Sequence, residues 1–303
     1  MTASSSRPLY HPRYWPTWIG LGIVRLVSLL PMRVLWCIGT ALGSFFSLLP
    51  SRLKHDARVN ISLCFPNRSS REQQRIVNRH FRALGLIVFC MGLSWWASPE
   101  RLRRIVKIVD QQYFDRARAE GKRIILFAPH FLGLDIGGFR LGSEWEMITM
   151  YRASRDPVLE LMLKRRRRFG GYVFERKDNL RSLIRRMREG HPFYYLPDQD
   201  PGGADSVFVP FFGVPAATVT AFSRIAAMTD AVVIPCYNRI LPWGRGFELR
   251  FGPPLEGFPS DDPVRDARRM NEEIEKAVLQ HPEQYLWVYR RFKTRPAGSP
   301  PVY

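Results

Sequence analysis

From Ile105 to the C-terminus, short apolar runs alternate with segments of helical periodicity, and few folds accommodate that pattern. The runs Ile105–Val109, Ile124–Phe127, Met147–Tyr151, Phe193–Leu196, Val232–Tyr237 and Phe247–Phe251 have the length and character of buried strands. The intervening segments Gln112–Glu120, Leu134–Leu141, Pro157–Phe169, Asn179–Glu189, Ala217–Met228 and Pro263–Leu279 read as helices. The alternation predicts an α/β fold: a central mixed sheet flanked by helices.

A different composition precedes it. Trp18 to Pro50 is largely apolar, with Arg25 and Arg33 its only charges, and Pro31 divides it into two stretches. A bilayer span needs about 20 apolar residues. Residues 1–50 are therefore expected to form an N-terminal membrane-anchoring helix, either one kinked span or an interfacial helix followed by a short span. A buried core helix is the competing reading. Arg52, Lys54 and Arg58 follow directly and place residues 51–303 on the cytoplasmic side. Ser70 to Gln73 resembles a capping box opening a further helix that runs to Trp96.

The 303 residues carry 46 Lys and Arg against 27 Asp and Glu, a formal charge of +19. Such a field suits anionic membrane, acidic protein or nucleic acid. Much of the excess is local, in Lys164–Arg168 (KRRRR) and in Arg176 to Arg188. A recognition helix, zinc or RNA-sheet motif is missing, so specific nucleic-acid binding is the weakest reading. Cys37, Cys64, Cys90 and Cys236 lie far apart in apolar surroundings and are expected to be buried free thiols.

The segment Arg123-Ile-Ile-Leu-Phe-Ala-Pro-His-Phe-Leu-Gly-Leu-Asp135 carries the chemistry. Residues five apart on one helix point about 140° from each other. On a loop leading from a strand into a helix, His130 and Asp135 can meet, with Asp135 in a first helical turn that favours a carboxylate. A His held by an acid is equipped to take a proton from a hydroxyl. A loop His beside a helix-capping Asp is the plain alternative.

Further segments stand in order along the chain: His11-Pro-Arg-Tyr-Trp-Pro-Thr-Trp18, Arg58-Val-Asn-Ile-Ser-Leu-Cys-Phe-Pro66, the cationic block, Tyr195-Leu-Pro-Asp-Gln-Asp200, Val207-Phe-Val-Pro-Phe-Phe-Gly213 and Pro282-Glu-Gln-Tyr-Leu-Trp-Val-Tyr-Arg-Arg-Phe-Lys-Thr-Arg-Pro296. Together with the His130 segment they resemble the late acyltransferases of lipid A biosynthesis, in the lauroyltransferase branch, from about residue 10 onward. The resemblance implies a glycerolipid-acyltransferase-like domain facing the cytoplasm from the bacterial inner membrane. It implies transfer of a lauroyl or similar chain from acyl carrier protein to the hydroxyl of a 3-hydroxyacyl chain on a Kdo-bearing lipid A precursor. The family's His-x4-acid motif falls on His130 and Asp135, where the lauroyl branch usually has Glu at the second position. Arg166 and Arg168 are then the candidates for gripping phosphate or carboxylate, and Asp198 for orienting Arg168 or binding a polar group of the substrate. The other cations of the block read equally as a solvated face. Phe208–Phe212 and Pro215 could line an acyl channel or simply pack in the core. No metal-ligand spacing is visible, and neither a metal nor a cofactor is expected. A glycerol phosphate or another membrane lipid is the alternative acceptor.

Overall fold

The computed structural model describes residues 8–175, 179–202 and 206–303. In it Ile124, Ile125, Leu126 and Phe127 are each at most 3% exposed. A strand covered on both faces reads as an unbroken apolar run, and this one lies at the centre of the molecule. In chain order the elements are α1 (Trp15–Val27), α2 (Met32–Leu48), α3 (Arg52–Cys64), α4 (Ser70–Trp96), α5 (Pro99–Ile105), β1 (Val106–Val109), α6 (Gln112–Ala119), β2 (Arg123–Phe127), α7 (Leu134–Gly142), β3 (Ile148–Tyr151) and α8 (Pro157–Lys164). They continue as β4 (Tyr172–Glu175), α9 (Leu180–Arg188), β5 (Phe193–Tyr195), β6 (Ser206–Phe211), β7 (Val214–Val219), α10 (Ala221–Thr229), β8 (Ala231–Ile240), β9 (Phe247–Phe251) and α11 (Pro263–Gln280). A C-terminal strap, residues 281–294, then returns across the sheet.

The main sheet has the order β1-β9-β8-β2-β5-β3-β4. Only β8 and β9 pair antiparallel; the other neighbours are parallel, so the sheet is mixed. Side chains of β2 alternate between two cores. Ile125 and Phe127 join Leu183 of α9, Phe222 of α10 and Met270 of α11 on one face. Ile124 and Leu126 join Leu93 of α4, Phe114 of α6 and Ile136 of α7 on the other.

Several expectations need correction. The edge strand β4 and the hairpin β6–β7 are additional to the predicted strands, and the helix expected from Ala217 begins at Ala221. Ala217, Thr218 and Val219 pair instead with Phe208, Val207 and Ser206, as β-branched residues beside a Gly213 turn allow. The helix from Pro157 stops at Lys164 and continues only as a 3-10 turn, Arg165–Arg167. The capping box forms one residue early: Ser69 caps the Glu72 amide and Glu72 returns to the Ser69 backbone. Cys37 is exposed rather than buried.

The N-terminal segment differs more. Its apolar run breaks at Ser28–Pro31 into α1 and α2, of 13 and 17 residues. Even α2 spans only about 26 Å at 1.5 Å per residue, short of the roughly 30 Å hydrocarbon layer. Among the described residues, the helix long and apolar enough to cross alone is α4, and half of its apolar window is buried in the protein. The bent pair α2 and α3 passes the same test only if taken together across an 86° break. α2 lies tightly along α4: a Cβ on Gly43 would sit 2.2 Å from the Phe81 carbonyl oxygen, and one on Gly85 2.4 Å from that of Gly39. Its opposite side leaves Val34, Ile38, Leu42, Phe45 and Leu49 exposed, and α1 leaves Ile19, Ile23 and Leu26 exposed. Both series follow helical spacing.

Candidate active site

β2 and β5 are parallel neighbours with Phe127 opposite Tyr195. Each strand then continues in the same way, Ala128-Pro129-His130 beside Leu196-Pro197-Asp198. The Ala128 amide donates to the Tyr195 carbonyl at 2.9 Å and keeps the two in register past the sheet. His130 and Asp198 therefore each lie three residues beyond a paired position, at the carboxyl edge of the sheet, where open α/β folds place their ligands. Pro ends each strand and stops the ladder.

The two side chains meet. His130 Nδ1 lies 2.5 Å from Asp198 Oδ1, and the His130 amide donates to Asp198 Oδ2 at 2.8 Å. Tyr285 of the strap donates its hydroxyl to the same Oδ2 at 3.0 Å. Asp198 is 1% exposed. Burial alone pushes its carboxyl up, but the His130 ring, the hydrogen bonds from His130 and the Arg291 charge outweigh it and hold the group below the usual carboxylate range. An ionised Asp198 accepts only, so His130 donates through Nδ1, and in the neutral ring Nε2 is the nitrogen left to act as base.

The strap fixes both loops. Leu286 donates to the His130 carbonyl at 2.9 Å and Leu132 donates to the Gln284 carbonyl at 2.8 Å. Thr294 donates to Asp200 through its amide at 2.8 Å and its hydroxyl at 2.9 Å. Tyr289 donates to the Asp200 carbonyl at 3.0 Å.

His130 faces a cavity of about 470 Å³, within the range of small-molecule sites. Its lining is apolar at Leu134, Phe139, Met147, Leu163, Phe169 and Val173 and polar at Asp135, Arg152, Gln199, Asp200 and Lys293. Asp135 stands in the first turn of α7, as predicted, and shares the cavity with His130. Sequence reasoning gave Asp135 the part of orienting the ring; the structure puts Asp198 on Nδ1. The repeated strand–Pro–polar pattern, A-P-H beside L-P-D, was the available signal. Tyr285 had none.

Asp198 is spent on His130 and Tyr285, and its expected pairing with Arg168 is not formed. Arg168 donates through Nη1 to the Ala97 carbonyl at 2.8 Å. Its guanidinium lies 4.0 Å from the Phe169 ring centroid and 5.3 Å from that of Phe139, both cavity residues. Nε and Nη2 are buried without a hydrogen-bond partner among the described residues. Burial, then Arg165, pull its pKa down to about 10. Arg166 falls in the adjoining turn; its side chain, and Arg176 to Asp178, lie outside the described residues. Lys164 pairs with Glu160 at 3.6 Å, and Arg167 donates to the Val173 carbonyl at 2.9 Å. Among the described residues of the β6–β7 hairpin only Val219 reaches the cavity, while Phe211 packs in the core.

Comparison with known proteins gives a consistent result. The profile of the family described as bacterial lipid A biosynthesis acyltransferase matches residues 3–294. The lipid A biosynthesis lauroyltransferase of Escherichia coli K12 is 35% identical over 300 residues, 98% of each chain. The palmitoleoyltransferase of the same organism is 33% identical over 299 residues, covering 98% of this chain and 97% of its own. Its myristoyltransferase is 32% identical over 291 residues, covering 95% and 90%. A crystal structure of the 1-acyl-sn-glycerophosphate acyltransferase from Thermotoga maritima covers 80% of this chain and 96% of its own at 16% identity and a TM-score of 0.36, too distant a likeness to carry weight.

Proposed function

The chain belongs to the bacterial lipid A biosynthesis acyltransferase family and is an acyltransferase, and from that premise we propose that it moves a fatty chain from an acyl carrier protein thioester to the hydroxyl of a 3-hydroxyacyl chain on a Kdo-bearing lipid A precursor. The observation that carries the chemistry is the His130 imidazole, held through Nδ1 by buried Asp198 and facing a cavity lined partly by apolar side chains. An alcohol is a poor nucleophile at neutral pH. His130 Nε2 takes its proton as the oxygen attacks the thioester carbonyl, a contribution of about 10²–10⁴ in rate. Asp198 stabilises the imidazolium that forms. As the tetrahedral intermediate collapses, the C–S bond breaks and the same proton passes to the departing thiolate. The lipid supplies the attacking oxygen, so the enzyme needs no nucleophile of its own.

The apolar lining suits the acyl chain. Relatives named for lauroyl, palmitoleoyl and myristoyl transfer are 35%, 33% and 32% identical, so similarity alone does not select a chain length; a lauroyl-sized donor is our reading. Arg168 suits the acceptor. Among the described residues two of its nitrogens have no hydrogen-bond partner, and its guanidinium packs on Phe169 and Phe139 of the cavity wall, so a shift of this side chain toward the cavity would offer them to a phosphate or Kdo carboxylate. Asp135 is assigned to the same site, as a second carboxylate near the reacting hydroxyl.

We assign the protein to the inner membrane, with the cavity toward the cytoplasm. The exposed apolar rows of α1 and α2 suit burial in a lipid interface. Arg13, Arg25, Arg33 and Arg52 nearby suit anionic headgroups. Mass spectrometry of lipid A from a strain lacking the protein tests the whole reading. A product lighter by one secondary acyl chain is expected and gives the chain length; an unchanged profile overturns it.

A further inference from the structure

A fully buried arginine is costly unless its charge has work to do. Arg291 is 2% exposed. It donates to the Ala217 carbonyl at 2.7 Å, the Thr218 hydroxyl at 3.3 Å and the Asn271 side-chain oxygen at 3.4 Å, all neutral acceptors. Among the described residues its Nε has no hydrogen-bond partner and no carboxylate lies within ion-pair distance of it. The other buried carboxylates are provided for. Asp56 pairs with Arg290, Glu248 with Arg239 and Arg250, and Asp266 accepts from Ser260. Asp200 accepts from Thr294 and from the Gly202 amide.

The remaining buried anion is Asp198, and the strap that carries Arg291 also carries its third donor. The Arg291 guanidinium lies 5.3 Å from the Phe211 ring centroid, Phe211 lies 5.9 Å from the Tyr285 ring, and the Tyr285 hydroxyl is 3.0 Å from Asp198. These contacts run in sequence from Arg291 to the Asp198 carboxylate. Tyr285 is itself fully buried, which pushes its phenol well above the usual range, so it remains a donor at every working pH.

We propose that Tyr285 and Arg291 are positioning residues of the acyl transfer step. Tyr285 fixes the Asp198 carboxylate, and Arg291 holds a buried positive charge against the Phe211 ring, which packs on Tyr285. The strap is thus part of the catalytic machinery as well as a closing segment of the fold. The proposal rests on the proton-abstraction role of His130 given above. The charged and titratable groups that bear on the pair are Tyr285, Tyr289 and Arg291 from the strap, Cys64 from α3, Asp200 from the adjoining loop and Asp135 from the cavity side.

The sign follows from charge. Weakening the donor or removing the cation makes the His130–Asp198 pair hold its protons more tightly. The deprotonated, active pair then appears only at higher pH. Tyr285→Phe keeps the ring and loses the donor. It is expected to move the acid limb of the kcat/KM profile up by about one pH unit and to lower kcat about tenfold, the usual scale for a hydrogen bond to a charged group. KM for the acyl carrier thioester is expected to stay unchanged. Arg291→Met should move the limb the same way; Arg291→Lys, which keeps the charge, should restore it. Histidine-selective ¹⁵N NMR of the resting protein reads the His130 titration without turnover. A Tyr285→Phe protein with the wild-type acid limb, kcat and ring titration overturns the proposal, whether or not Arg291→Met folds. Absence of transfer by the wild-type protein would instead remove the functional reading beneath it.

Discussion

Replacing Asp198 by Asn changes one atom, and its surroundings dictate the consequence. Oδ2 accepts from the His130 amide at 2.8 Å and from Tyr285 at 3.0 Å. A backbone N–H can only donate, so the Asn carbonyl oxygen must take that side. The amide nitrogen is then turned toward His130 Nδ1, the position now occupied by Oδ1 at 2.5 Å. Two donors cannot share a bond, and the ring is driven to the tautomer with its proton on Nε2. The nitrogen facing the cavity ceases to be a base. In a hydrolase triad this kind of tautomer reversal costs about 10⁴ in kcat, or about 5.5 kcal/mol at 1.36 kcal/mol per tenfold. Loss of a charge-assisted hydrogen bond alone costs about 1.5–3 kcal/mol, a smaller effect. The assay is transfer of labelled acyl from its carrier thioester to the lipid acceptor in detergent at saturating substrate. Circular dichroism and gel filtration confirm that the variant is folded. A fall of about 10³–10⁴ is expected. An Asp198→Asn protein that keeps more than a tenth of wild-type kcat refutes the tautomer argument.

Other expectations rest on separate features. Arg168→Ala should raise KM for the lipid acceptor about tenfold or more, on the scale of one charge-assisted contact, while leaving KM for the acyl carrier thioester near wild type; steady-state kinetics in both substrates decides. The lowered Asp198 carboxyl adds stability that is fully present above the unfolded Asp value of about 3.9 and is lost as pH falls through the folded value; urea midpoints of wild type and Asp198→Asn should therefore converge below about pH 4. Gly137→Ala would place a Cβ 1.6 Å from the Asn238 side-chain oxygen, and should cost about 1–3 kcal/mol, read as a lower urea midpoint. Substituting Ile19, Ile23 and Leu26 by Ser should shift protein from the membrane pellet to the soluble fraction without loss of fold, because these side chains are exposed rather than packed.

The parts of the fold that follow from local pattern were readable. β2 announces itself by four consecutive apolar residues ended by Pro129, and α7 by the Gly133 turn before Leu134. β9 matches its predicted bounds because Phe247–Phe251 is apolar at alternate and central positions. What was missed depends on partners distant in sequence. β4 is a four-residue edge strand recognisable only once β3 lies beside it. Ala217–Val219 could belong to a helix until β6 is placed opposite. The apolar residues of α1 and α2 led to the expectation of a membrane anchor, but the number of helices depends on a break at Ser28–Pro31 and on the close approach of Gly43 to α4. In the site, the pairing of His130 with Asp135 was proposed from their nearness in sequence, and the structure puts both on the wall of one cavity. Asp198 is 68 residues from His130, and its role emerges only from the pairing of Phe127 with Tyr195. Tyr285 reaches the same carboxylate from 87 residues further along the chain.

The most direct test is a double-mutant comparison of acyl transfer by His130→Ala, Asp198→Asn and the protein carrying both. Residues that act as one unit do not add. Once the imidazole is gone, the second substitution should change kcat by less than about threefold, although alone it costs orders of magnitude. A double variant slower than His130→Ala by the full factor that Asp198→Asn shows alone would mean that Asp198 acts apart from the imidazole, and that His130 is not held for catalysis by that carboxylate.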